Sequence, residues 1–313
     1  MATLRGASHA GSWYEADAKR LGAQLDAWLD AAAGAGTARE PRAAVICPHA
    51  GYSYSGSTAA YSYASVDVSR VTRVWVLGPS HHVDVSGRVA VSRCTALEVP
   101  LGAPLRVDRA VAAELLRLPN FVGLDPADDE AEHSLEMQYP YIWKVFARAG
   151  RAPADFTVVP LVVGSLDERR EREFGAVLAA RALADPAALV VVSSDFCHWG
   201  ARFRYQHLVD DRSLAIHQSI EAVDRAGMDL IARMRHADFA EYLKRTRNTI
   251  CGRHPIGVLL AALDERAKTD GAAATSDAFA VAFLAYRQSS ACTSMADSSV
   301  SYAAAAVTRL RPL

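Results

Sequence analysis

Six of the ten histidines fall in short polar segments: His49 in "PHAGY", His81 and His82 in "GPSHH", His133 in "EHSLE", His198 in "DFCHWG" and His254 in "GRHPI". Imidazole is the commonest metal-ligating side chain, and its proton equilibrium lies near neutrality. Three of these segments come directly after an apolar run that reads as a strand. Open α/β sheets bind their ligands beyond the carboxyl ends of strands. Any one such histidine is most simply a polar residue trimming a strand end; three delivered to the same edge point to a site. His81 and His82 are neighbours, which face opposite ways in extended chain, so only one of them joins it easily. His49 and His81 form the natural pair. Two neutral imidazoles want a third ligand, and His198, Asp195, Cys197 and Cys251 are the candidates.

The stretch "VVSSDFCHWG" (191–200) crowds Asp195, Cys197, His198 and Trp199 where an apolar strand runs out. Asp195 and His198 stand three apart, so the acid can orient the imidazole and set its tautomer, or cap the strand end in an Asx-type turn. Cys251, in "NTICGRHPIGVLL", sits just ahead of a helix in which Pro255 suits the first turn. The helix dipole and Arg253 are expected to lower its thiol pKa. Cys197 needs no role beyond that of a small buried hydrophobe. "DDEAEH" carries a D-x-x-E capping pattern at Asp129 and Glu132, which assigns both carboxylates to a helix start and leaves His133 open. Arg202 and Arg204 flank Phe203, so an extended backbone turns both to one side, where they bind a phosphate or carboxylate or stay solvated. Trp13, Tyr14, Tyr52 and Tyr54 are amphipathic rings suited to a ligand wall or to the core.

These residues need elements to hold them. Leu21, Leu25, Trp28 and Leu29 recur at helical spacing and predict a helix over 15–32. Buried strands are expected at 43–48, 71–82, 88–94, 156–164, 188–195, 278–286 and 300–307. Helices are expected at 108–117, 130–148, 168–183, 211–226, 236–246 and 255–267. The strands are continuously apolar rather than alternating, and helices separate them. That pattern predicts an α/β fold of three layers, a central, largely buried sheet covered by helices on both faces. No linker or repeat divides the chain, so 1–313 is expected to be a single domain.

The 313 residues are 51% apolar and 22% charged, enough for a full core. A net charge of −1 argues against a nucleic-acid partner. The N-terminus lacks the apolar stretch of a signal peptide and no run reaches bilayer length, so the expected location is cytoplasmic, with the nucleus left open, and no membrane span. Five cysteines without a CxxC do not make a disulfide framework.

The segments "ASHAGSWY", "PHAGYSYSG", "LGPSHH", "EHSLEMQYPY", "SSDFCHWGARFRY", "NTICGRHPIGVLL" and "DSSVSYAAAA" resemble, in order, those of the Memo family, over residues 5 to 307 or so. Its eukaryotic branch includes a mediator of receptor-tyrosine-kinase-driven cell motility. The resemblance implies a fold similar to the class III extradiol dioxygenases, which hold non-haem iron with two histidines and a carboxylate. It implies a single copper or iron ion on His49, His81 and Cys251, with Asp195 and His198 lining the pocket as catalytic residues. It further implies that Trp13, Tyr54, Arg202 and Arg204 bind a phosphotyrosine peptide. Cys251 stands where the dioxygenases have a carboxylate, and a softer thiolate tilts the site toward copper or zinc without excluding iron. The expected function is therefore redox chemistry on dioxygen rather than ring cleavage. A non-catalytic adaptor for phosphotyrosine peptides and a zinc-dependent hydrolase are the alternatives.

Overall fold

The structure is a computed structural model describing residues 3–211 and 213–310. The chain runs through β1 (Leu4–Arg5), α1 (Ala18–Gly34), β2 (Ala44–Cys47), α2 (Tyr52–Ala64), β3 (Arg73–Pro79), β4 (Val89–Ser92), β5 (Ala96–Val99) and β6 (Gly102–Arg106). Next come α3 (Arg109–Leu115), β7 (Phe121–Leu124), α4 (Pro126–Ala131), α5 (His133–Glu136), α6 (Tyr139–Arg148), β8 (Thr157–Val163) and α7 (Glu168–Leu178). The last third holds β9 (Ala188–Ser193), β10 (His198–Trp199), α8 (Ile216–Ala232), α9 (His236–Thr246), α10 (Arg253–Thr269), β11 (Phe279–Gln288) and β12 (Ser299–Arg309).

The central sheet is ordered β10-β12-β2-β9-β3-β8-β4-β7, with β11 also paired to β12. β2, β9, β3 and β8 are parallel neighbours, and β12 and β4 join that block antiparallel. Alternate residues of the parallel strands feed opposite cores. Ala44, Ile46, Val190 and Val192 face a layer containing α3, α7, α8, α9 and α10; Val45, Cys47, Leu189 and Val191 face α1, α2 and α6. With both faces covered, neither parity of the strand can be polar. This is the three-layer α/β domain expected from the apolar runs. No helix among the described residues is long and apolar enough to cross a membrane.

Four features depart from expectation. α2 was hidden by its sequence, "YSYSGSTAAYSYA", whose serines and tyrosines do not make an amphipathic pattern. Its polar groups are satisfied locally: Ser55 Oγ donates to the Ala50 carbonyl at 2.6 Å and Ser62 Oγ to that of Ile46 at 2.7 Å. The helix expected over 130–148 is three pieces, α4, α5 and α6, because Glu132 takes an extended ψ of 117° between the first two. The helix expected from 211 begins at Ile216, and position 212 lies outside the described residues. A small sheet, β1-β5-β6, was also missed: the two residues of β1 carry no period, and β6 is largely exposed rather than continuously apolar.

Candidate metal centre

Adjacent parallel strands β2, β9 and β3 end side by side, and each delivers polar groups to the same edge. His49 follows β2, His81 follows β3, and Ser193 closes β9. Cys251 comes from the turn before α10. Gly252 is obligatory there, because a Cβ would collide with the Ser193 carbonyl and the Ser194 side chain. That close approach seats the thiol against the end of β9, where Sγ accepts from the Asp195 N–H at 3.2 Å. Sγ lies 3.1 Å from His49 Nε2, and donor atoms of His49, His81 and Cys251 all fall within 4.8 Å of one another. Ligands about 2.1–2.3 Å from a common ion sit roughly 3–4 Å apart, so this set fits a single transition-metal ion after small adjustments.

Hydrogen bonding fixes which nitrogen each ring presents. Ser193 Oγ gives its one proton to the Ser134 carbonyl at 2.7 Å and accepts from Gln138 Nε2 at 2.9 Å. Its contact with His49 Nδ1 at 2.8 Å must therefore be one in which the imidazole donates. His81 Nδ1 donates to Glu132 Oε1 at 2.9 Å. His198 Nδ1 faces two carbonyls, Phe196 at 2.9 Å and Thr249 at 3.2 Å, and must also donate. In all three rings Nε2 is left as the lone-pair atom. A second-layer acceptor on Nδ1 is how metal-binding imidazoles are oriented.

Electrostatics agree. Burial, then the neighbouring His81, pushes the His49 pKa well down, so the ring is neutral. His133 is pushed down to about 3 by burial and by His49 and His81. The Cys251 thiol is held up by burial and by the Asp195 charge. This reverses the expectation of a lowered pKa: desolvation in the buried turn outweighs the helix start and Arg253.

Other expectations are also corrected. Asp195 does not hold His198; its Oδ1 accepts the backbone N–H of His49 at 2.8 Å and of Ala50 at 3.3 Å, so it fixes the loop that carries His49. Burial raises its pKa. Glu132 does cap α5, through Ser134 N at 2.8 Å, but it also takes the His81 backbone N–H and ring. Burial opposes its ionisation, yet these donors hold its carboxyl well below the usual range. Asp129 is buried against Arg5 rather than capping in solvent. Arg202 and Arg204 do not alternate along a strand. They lie in a helical turn with Arg204 at φ 55°, and both are exposed.

Two aromatic walls flank the cluster. Trp13 packs on His133 at 4.3 Å between centroids, and His133 stacks on His81 at 4.4 Å. The Phe203 ring meets His198 edge-on at 5.3 Å and carries the Arg202 guanidinium 4.4 Å above it. Tyr54 is exposed in the first turn of α2. Cys197 packs with Trp199, Tyr205, Ile220 and Cys292 in a separate apolar cluster. Sequence reading missed Ser193, Thr249 and the role of Glu132. Only the adjacency of Glu132 to His133 hinted at the last.

Glu132→Gln should lower metal affinity about 10–100-fold, the usual cost of losing such a supporting group. Glu132 accepts three N–H groups, and an amide nitrogen would oppose one of them. Competition titration with a chromophoric chelator checks it; an unchanged affinity would mean that His81 needs no carboxylate.

A family model described as Memo-like protein matches residues 5–306. The chain is 48% identical over 303 residues to Protein MEMO1 of Xenopus laevis and 47% identical over 305 residues to Protein MEMO1 of Homo sapiens, covering 97% of each chain in both cases. It is 44% identical over 300 residues to Protein memo-1 homolog of Caenorhabditis elegans, covering 96% of this chain and 81% of that one. The family-model match over residues 5–306 and identities of 44–48% along nearly the whole chain place the protein in the Memo-like family.

Proposed function

We propose that the protein binds one copper or iron ion through His49, His81 and Cys251 and acts in redox chemistry on dioxygen. The observation that carries this reading is the common tautomer: His49 and His81 both have Nδ1–H engaged and Nε2 turned free beside a cysteine Sγ. An ion held there would supply one-electron chemistry, and the thiolate favours copper over harder choices without excluding iron. The chain's own residues set the conditions. Cys251 rests as a thiol and gives up its proton when a cation arrives, so uptake is coupled to proton release. His198 presents Nε2 from a ring anchored by two carbonyls, suited to hold or pass a proton. Asp195 keeps the His49 loop in place, and Trp13 packs on the His133 ring beside His81.

The second reading is an adaptor that holds a phosphotyrosine peptide at this mouth. The exposed Trp13 and Tyr54 offer faces for a ring, and Arg202 and Arg204 offer charge-assisted donors. Metal analysis of untagged protein purified without chelators, paired with oxygen uptake, separates the readings. Copper or iron near one per chain with oxygen consumption supports the first. Metal-free protein whose phosphotyrosine-peptide affinity falls when Arg202 and Arg204 are both changed to alanine supports the second. Zinc with esterase activity would overturn both in favour of hydrolysis.

A further inference from the structure

A groove of about 830 Å³ lies between the start of α7, the end of α9 and the turn that leads into α10. Leu166, Phe239 and Leu243 give it an apolar wall, and Arg247, Arg253 and His254 line it with cationic or hydrogen-bonding groups. This is the size and composition of a small-molecule site: mostly apolar surface with a few convergent polar groups.

The charges are not balanced. Lys244 pairs with Glu168 at 2.8 Å, and Arg169 pairs with Glu173. Glu171 spends one oxygen on His254 Nδ1 at 2.8 Å and the other on His236 Nε2 at 2.7 Å. Asp167, the remaining acid of the lining, caps α7 through Arg170 N. Among the described residues, no carboxylate pairs with Arg247 or Arg253. The one side-chain hydrogen bond of Arg253 is a long 3.4 Å contact to the Ile250 carbonyl. Arg247 also sits at φ 52°, where a side chain costs about 1 kcal/mol relative to glycine.

From this we infer that the groove is a second binding site, for a small organic anion with an apolar body and a phosphate or carboxylate head. The two guanidinium forks take the oxygens of the head in charge-assisted hydrogen bonds, and the Leu166, Phe239 and Leu243 wall takes the body. The same turn carries Thr249, whose Oγ1 accepts from His198 N at 2.7 Å and donates to its carbonyl at 3.0 Å, and then Cys251. A ligand here therefore grips the segment that sets two residues of the other site.

Calorimetric titration of the full chain with phenyl phosphate, benzoate and inorganic phosphate tests it. Phenyl phosphate should bind saturably, one per chain, and more tightly than inorganic phosphate, because the ring has a wall to cover it. Arg247→Asn with Arg253→Gln should weaken that binding about 10-fold or more. Asparagine tolerates the left-handed backbone at 247, which protects the fold. Benzoate matching phenyl phosphate, or falling below it, upholds the site either way and identifies the preferred head. Absence of saturable binding, or binding indifferent to the 247 and 253 changes, overturns the inference. Should the double variant not fold, hydrogen exchange on the unaltered chain decides. Phenyl phosphate should slow exchange in 243–254 and 166–172, and protection confined to 49–54 and 198–205 would refute it.

Discussion

Cys251→Ser should reduce Cu(I) affinity by more than about 100-fold, beyond the cost of losing a supporting residue, while Cys197→Ser leaves it unchanged. The two thiols differ in where the fold puts them. Cys251 Sγ is 3.1 Å from His49 Nε2 at the strand edge, whereas Cys197 is sealed among Trp199, Tyr205 and Ile220. Serine at 251 keeps the size but offers a hard, protonated oxygen in place of a soft thiolate. The Asp195 N–H that now meets Sγ can still be accepted by a hydroxyl, so the turn should hold and the loss should be one of ligation. Titration of both variants against a Cu(I) chelator reads this directly. Equal losses in the two would mean that the wrong thiol has been assigned.

Arg5→Met should cost about 3–5 kcal/mol of stability, the expected result of leaving buried charges without their partner. Arg5 is fully buried. Its Nε meets Asp129 Oδ1 at 2.9 Å, Nη1 meets Glu136 Oε2 at 2.7 Å, and Nη2 donates to the Asp129 and Glu132 carbonyls at 2.7 and 2.9 Å. One side chain thereby ties together the break between α4 and α5 from which Glu132 reaches His81. The acid limb of stability should change as well. Burial disfavours ionised Glu136, but hydrogen bonds from His9 and the charge of Arg5 outweigh it and bring its pKa down to about 2. A depressed carboxyl contributes stability that is complete above its unfolded value, about 4.3, and is lost as pH falls toward 2. Without Arg5 the folded value rises, so that acid-induced loss should shrink even as stability at pH 7 drops. Asp129 is raised by burial and works in the opposite sense. Thermal unfolding at pH 7, 4 and 3 measures both effects; a variant as stable as the parent at pH 7 would show the arginine to be dispensable.

The layered sheet was legible because strands covered on both faces have no polar parity, and "AAVICP" and "ALVVVSSD" show this plainly. His49, His81 and Cys251 were legible because reactive side chains came directly after such runs or directly before a helix. What escaped was long-range. Asp195 lies three residues from His198, which suggests a local partnership, yet its carboxylate reaches backbone 146 residues away. Glu132 stands three residues after Asp129 and so imitates a capping pattern, while its principal partner is 51 residues distant. Arg5 lies in a two-residue strand, and the carboxylates its side chain meets are more than 120 residues on. The Cys251 environment was misjudged for a different reason: a helix start and a nearby arginine are visible in sequence, but desolvation is a property of the packed turn.

The central claim is that His49, His81 and Cys251 share one ion, and X-ray absorption at the copper or iron edge of loaded protein tests it most directly. The expected spectrum has one sulfur scatterer at about 2.3 Å with imidazole nitrogens at about 2.0–2.1 Å, lengths typical of such ligands. The sulfur contribution should vanish in Cys251→Ser and persist in Cys197→Ser. A first shell of nitrogen and oxygen alone in the unaltered protein, or a sulfur shell that survives Cys251→Ser, would contradict the account.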